Sequence, residues 1–374
     1  MKLGHVLADQ PQARVALEGA LRAGPSHAYL FHGPPGVGKS EAARAFAGEL
    51  LAEDADDPDG VRRRVSAGSH PDLTWVRPSG AQMMRTEDVD GPVVSAATRT
   101  PFESKRRVFV LERVDTMNDT VANRLLKTLE EPASFVHLLL LTDSLGQVIP
   151  TVVSRCQAVR FSPLPAARIA SLLEGEGVAP ERALACARLA LGNGARARFL
   201  ASEEGEALRA DVDRMLSAAL GSVEAGAVVE PWRGLLERAE EGRAEAEAEV
   251  AREREDRLES EPRGRDRGAL EKRFDDASKR SGRRARTEVL DLGLALAALG
   301  FRDLVCLAEG AEDAALDPAR AAALVPAARS RDPRRLREAA ERCEEVRLSL
   351  ELNVMEDLAL EALGYRLKGL VGQA

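Results

Sequence analysis

Cysteine is scarce in this chain and scattered. Its four residues, Cys156, Cys186, Cys306 and Cys343, lie tens of positions apart. No pair has the C-x-x-C spacing of a structural zinc or a dithiol redox centre, and isolated reduced thiols are the expectation. Aromatic residues make up only 3%, a poor supply of stacking platforms for single-stranded nucleic acid. Positive charge is not in excess either, since the net charge is −8, whereas coating DNA through counterion release needs a concentrated basic surface. Lysine is rarer still, with 7 against 46 arginines, so a lysine inside a motif invites explanation. No apolar run approaches the ~18 residues of a membrane span, and the first ten residues lack the apolar stretch of a signal peptide. The expectation is a cytoplasmic protein with no membrane contact.

What is present is a soluble globular composition, 44% hydrophobic and 30% charged over 374 residues. That length predicts two to three domains at roughly 100–200 residues each. Five short apolar runs, Ala28–Phe31, Leu73–Val76, Val108–Leu111, Val136–Leu141 and Ala158–Phe161, alternate with amphipathic stretches. This is the pattern of a parallel sheet covered on both faces, and it predicts an α/β domain over 1–163. After Ser162-Pro163-Leu164-Pro165 the strand signal stops. Short helical stretches, broken at Gly192-Asn193-Gly194, predict a small helical domain over 164–205, and helical patterning continues through a third domain over 206–374. Within that domain about 30 of the 50 residues from 237 to 286 are charged, acid-rich as far as Glu261 and base-rich from Arg263. Such a run suits either a long solvated helix or hairpin whose halves attract, or a partly disordered insert.

The strand at 28–31 leads into His32, then Gly33, Pro34, Pro35, Gly36, Val37, Gly38, Lys39, Ser40 and Glu41, followed by a helical stretch. This is the G-x-x-x-x-G-K-S phosphate loop in its required setting, strand before and helix after. The glycines let successive N–H groups turn inward around phosphate oxygens, and the helix N-terminus adds partial positive charge. Lys39 is the cation for the β/γ phosphates, and Ser40 is a candidate Mg²⁺ ligand. The implied cofactor is ATP or ADP with Mg²⁺.

A hydrolase of this type also needs an acid for the metal shell and a second acid that orients the attacking water, both at the end of a later buried strand. Here that strand ends Leu111-Glu112-Arg113. One alignment puts Glu112 on the metal side and Arg113 where the water-activating acid belongs. The other makes Glu112 the activating acid and leaves Leu111 on the metal side. Either way one acid is missing, and a guanidinium cannot act as a base, so nucleotide binding with absent or very weak hydrolysis is expected.

Two further segments, Val121-Ala-Asn-Arg-Leu-Leu-Lys-Thr-Leu-Glu-Glu-Pro132 and Pro150-Thr-Val-Val-Ser-Arg-Cys-Gln157, follow the phosphate loop in an order that resembles the clamp-loader branch of the AAA+ ATPases. The resemblance covers residues 1–205, including Gly68-Ser69-His70-Pro71-Asp72, and is weaker beyond. It implies an AAA+ domain, a helical lid and an all-α oligomerising collar. It also implies that Arg155, in Ser154-Arg155-Cys156, is an arginine finger acting on a neighbouring subunit's nucleotide, and that Thr142 is a candidate for the sensor 1 position. The family's sensor 2 arginine falls by spacing on Ala195, one residue before Arg196. Many relatives carry a four-cysteine zinc module before the Gly-x-His-Pro-Asp segment. Residues 51–70 here have no cysteine, with residues such as Asp59 and Arg62 in its place, so no zinc is expected. Cys156 is expected to pack and not to act as a nucleophile.

The departure at Glu112-Arg113 implies a non-motor subunit that assists ATP-driven loading of a sliding clamp for the replicative DNA polymerase. Its implied partners are the gamma/tau motor subunits and the delta subunit, the sliding clamp transiently, and primer–template DNA only within the complex. Two alternatives are an active gamma/tau-like motor and a repair-type DNA-binding AAA+ ATPase.

Overall fold

All five apolar runs become strands of a single parallel sheet in the computed structural model, which describes residues 2–79, 83–221, 230–260, 266–350 and 354–372. The strands are β1 (Ala28–His32), β2 (Leu73–Val76), β3 (Arg107–Leu111), β4 (Val136–Thr142) and β5 (Gln157–Arg160), in the order β2-β3-β4-β1-β5. Parallel strands need crossovers, and helices supply them. Because side chains alternate across a strand, β1 sends Tyr29 and Phe31 to one face and Ala28 and Leu30 to the other. The first face packs on Phe46, Leu50 and Leu51 of the helix Lys39–Leu51. The second packs on Val121, Leu125 and Leu129 of the helix Asp119–Glu130. That second helix starts where Asn118 Oδ1 accepts from Val121 N at 3.0 Å and ends just before Pro132. The expected α/β fold is therefore observed, with a helical remainder.

The chain divides into two compact units, residues 1–165 with 192–195, and residues 166–191 with 196–374. The sequence reading placed a lid over 164–205 and a collar over 206–374. Here those two segments fall within one unit, apart from the ends near Pro165 and the turn 192–195, which fold with the sheet.

In the second unit the charge-dense segment forms two long helices, Arg233–Ser260 and Asp266–Ala308. They run antiparallel, since Arg286 pairs with Glu240 at 2.9 Å and Arg254 with Asp275 at 3.0 Å. Glycines set the close approach. A Cβ at Gly293 would lie 2.4 Å from a Leu235 methyl, and one at Gly282 would meet Glu247. Of the two readings of this segment, the helical one holds for the described residues; the connection at 261–265 lies outside them. Among the described residues no helix is long and apolar enough to cross a membrane.

The sheet also carries a pH-sensitive group. His137 on β4 is buried, with Nδ1 2.8 Å from Ser26 O and Nε2 3.4 Å from Arg106 Nη1. Burial pushes its pKa below the usual 6.5; the Ser26 carbonyl opposes that shift and Arg106 adds to it. The unfolded chain therefore takes up this proton first as pH falls, so the stability gained from a neutral imidazole is present above about pH 6.5 and is lost on acidification below it. Urea midpoints should decline from pH 7.5 to 5.5. His137→Gln should flatten that decline, and an unchanged slope would exclude His137 as its source.

Candidate functional site

The phosphate loop leaves the end of β1. Gly33, Gly36 and Gly38 all have positive φ, at 148°, 70° and 93°, a region open to glycine and strained for other residues. Gly33 has a second constraint, because a Cβ there would sit 2.2 Å from the Phe161 carbonyl oxygen. Pro34, Pro35 and Gly36 are exposed and Val37 is buried. Gly38 is the left-handed cap of the helix that begins at Lys39, and Ser40 and Glu41 lie exposed in its first turn. A glycine-rich loop that leads into a helix N-terminus suits a polyphosphate.

Lys39 is 7% exposed, and each of its three donors is engaged. Nζ donates to Gly33 O at 2.6 Å and Pro34 O at 2.5 Å, and pairs with Asp143 Oδ1 at 2.7 Å. Asp143 was not picked out from the sequence. Its position just past the end of β4, the strand beside β1, was the available signal, because ligand sites in parallel sheets gather at the carboxyl ends of strands. The neighbouring Thr142, the sensor 1 candidate, is buried and donates to Asp115 Oδ1 at 2.7 Å while accepting from Ser144 N at 3.0 Å.

Gln10 is a second residue the sequence did not reveal. Its Nε2 donates to Val37 O at 3.1 Å and Ser162 O at 2.8 Å, and its Oε1 accepts from Ser162 N at 3.0 Å. This buried amide fastens the loop to the exit of β5. On the other side Gly194 N donates to Gly36 O at 3.1 Å. No local pattern announces partners that lie 152 residues apart.

The end of β3 differs from the expected metal side. Glu112 Oε1 accepts from Trp75 Nε1 at 2.8 Å and Oε2 from Arg77 Nε at 3.1 Å. Both donors belong to β2 and its exit, on the opposite side of β3 from β4 and the phosphate loop. The carboxylate is therefore held on the β2 side of β3, while Ser40, the other Mg²⁺ candidate, is an exposed residue of the helix's first turn. Arg113 follows with a left-handed φ of 54°.

The remaining site residues are spread out. Ala195 has no charge, and Arg196 belongs to the second unit, where Asp291 and Arg347 are its charged neighbours. Arg155 lies on the surface after the short helix Pro150–Val153, its side chain 34% exposed, with Nη1 donating to Thr151 O at 2.9 Å and Nη2 to Glu130 Oε1 at 2.5 Å. Glu130 ends the Leu-Leu-Lys-Thr-Leu-Glu helix, so the two segments that carried the resemblance touch. Burial pushes the Cys156 thiol up to about 12, which keeps it protonated and a poor nucleophile. In the stretch 51–70 a helix, Pro58–Ala67, is held by Arg62, which donates to Glu49 at 3.1 and 2.7 Å and to Asp59 at 2.9 Å. Among the described residues no group of three or more His, Cys, Asp or Glu side chains is placed to hold a metal.

Residues 10–165 match the family described as DNA polymerase III, delta subunit, and that match ends where the first stretch of the sheet-bearing unit ends. In sequence this chain is 33% identical over 162 residues to DNA polymerase III subunit delta' of Bacillus subtilis, covering 42% of this chain and 49% of that one. It is 36% identical over 151 residues to the same subunit of Pseudomonas aeruginosa, covering 39% and 46%. It is 32% identical over 142 residues to subunit tau of Bacillus subtilis, covering 36% and 24%. The chain thus spans about half the length of the delta' relatives it matches. Over residues 10–165 the sheet-bearing unit of this chain is accordingly similar to the DNA polymerase III delta' subunits, and nearer in sequence to these two than to that tau subunit.

Proposed function

We propose that this protein is a non-motor, delta-prime-type subunit of the DNA polymerase III clamp loader. It binds ATP or ADP at Gly33–Glu41 without hydrolysing it, and presents Arg155 to the nucleotide of an adjacent gamma/tau motor subunit. The observation that supports this reading is the end of β3, where Arg113 follows Glu112 and both Glu112 oxygens accept from Trp75 and Arg77. A chain that lacks one of the two hydrolytic acids yet keeps an accessible, oriented arginine in Ser154-Arg155-Cys156 is suited to acting on a neighbour's phosphate. The helices from 166 onward then serve as lid and collar, and contacts with the delta subunit, the sliding clamp and primed DNA follow from assembly.

The purified chain alone should turn over ATP at no more than background, with Lys39→Ala indistinguishable from wild type. Turnover at ordinary motor rates that disappears in Lys39→Ala would overturn the reading in favour of an active motor.

A further inference from the structure

Lys39 is the group that must reach a bound phosphate, and in this structure it has no donor left to give. An ammonium has three N–H donors and no acceptor; two are held by the carbonyls of Gly33 and Pro34 and the third by the Asp143 carboxylate. Asp143 is the only anion among the three, so it supplies at Lys39 the charge that a phosphate would supply. We propose that Asp143 is a built-in competitor for the phosphate loop, an internal anion that nucleotide must displace from Lys39 and that makes entry depend on Mg²⁺.

The magnesium dependence follows from the displacement. A phosphate approaching Nζ meets a carboxylate that already lies 2.7 Å from the same nitrogen, and until that carboxylate leaves, two anions this close repel across a partly buried site. Mg²⁺ held by the nucleotide offsets that repulsion, whereas metal-free ATP meets it in full. Breaking the Asp143 pair carries little structural penalty, because the carboxylate side chain is 45% exposed and exposed ion pairs contribute little.

This inference rests on the reading that the loop binds nucleotide, and one titration separates the two. A fluorescent ATP analogue is titrated into wild-type chain, Asp143→Asn and Asp143→Ser, in Mg²⁺ and in EDTA, with thermal melts to confirm folding. Both variants should bind about tenfold more tightly than wild type in EDTA and only a few-fold more tightly in Mg²⁺, so that the ratio of the two affinities shrinks. Variants that bind as wild type does, or more weakly, in EDTA overturn the competitor role while leaving nucleotide binding intact. Binding by the variants but not by wild type upholds the competitor role and removes nucleotide from the natural chain's function. Binding by none of the three proteins overturns both.

Discussion

Arg155→Ala, assembled with gamma/tau and delta subunits, should lower DNA- and clamp-stimulated ATP turnover by about 10³-fold or more, the range in which an arginine finger supplied in trans acts on phosphoryl transfer. The expectation rests on geometry as well as on the motif. The guanidinium stands on a surface turn, its two terminal nitrogens fixed by Thr151 O and Glu130, so it is oriented without being enclosed. A solvent-exposed bridge of this kind contributes only ~0–1 kcal/mol, so exchanging the carboxylate for a phosphate is easy and the variant should melt as wild type does. Arg155→Lys should recover little, because an ammonium lacks the planar fork that bonds two oxygens at once. Undiminished stimulated turnover in a fully assembled Arg155→Ala complex would exclude the finger.

A second large effect is expected at Asp72, the last residue of the Gly-Ser-His-Pro-Asp segment. Its carboxylate is fully buried and accepts from Phe102 N at 2.6 Å, Glu103 N at 3.0 Å and Ser104 N at 2.9 Å. Glu103 in turn pairs with Arg64 at 2.7 Å and lies 3.0 Å from His70. Asp72 thus gathers a loop that has no secondary structure of its own and fixes it ahead of β3. Hydrogen bonds to a charged group contribute ~1.5–3 kcal/mol each and do not add fully, so Asp72→Ala should destabilise the chain by roughly 4 kcal/mol. Asp72→Asn, which keeps one acceptor, should lose about half as much. Urea denaturation followed by circular dichroism measures both, and a loss below about 1 kcal/mol for Asp72→Ala would show that water replaces the carboxylate. The segment that reads as a family signature has a structural task here.

The legible parts of this molecule were those encoded locally. Five apolar runs gave five strands because a strand buried on both faces must be apolar throughout, and the phosphate loop was recognisable because glycines at 33, 36 and 38 are required by backbone geometry at those positions. Charge alternation over 237–286 left helix and disorder open. The helical outcome depends on cross-helix partners such as Arg286 with Glu240 and on glycine notches at 282 and 293, which become visible only once the two segments are aligned. Asp143, Asp115 and Gln10 were missed for a similar reason, since each acts on a residue distant in sequence. The partners of Glu112 were equally hidden, since Trp75 and Arg77 reach it across strands and nothing in the sequence says that β2 lies beside β3.

The clasp on the phosphate loop also bears on how this chain can be cut. Gln10 holds the loop from ahead of the first strand, and Gly194 holds it from beyond two intervening helices. A fragment running from β1 to residue 165 would contain every residue of the motif and neither of its anchors. Val37 O and Gly36 O would lose their partners, and the loop would be free to sample conformations other than the cradle. The anchored phosphate loop is thus discontinuous in the chain, and expression fragments should start before Gln10 and extend past Ala195.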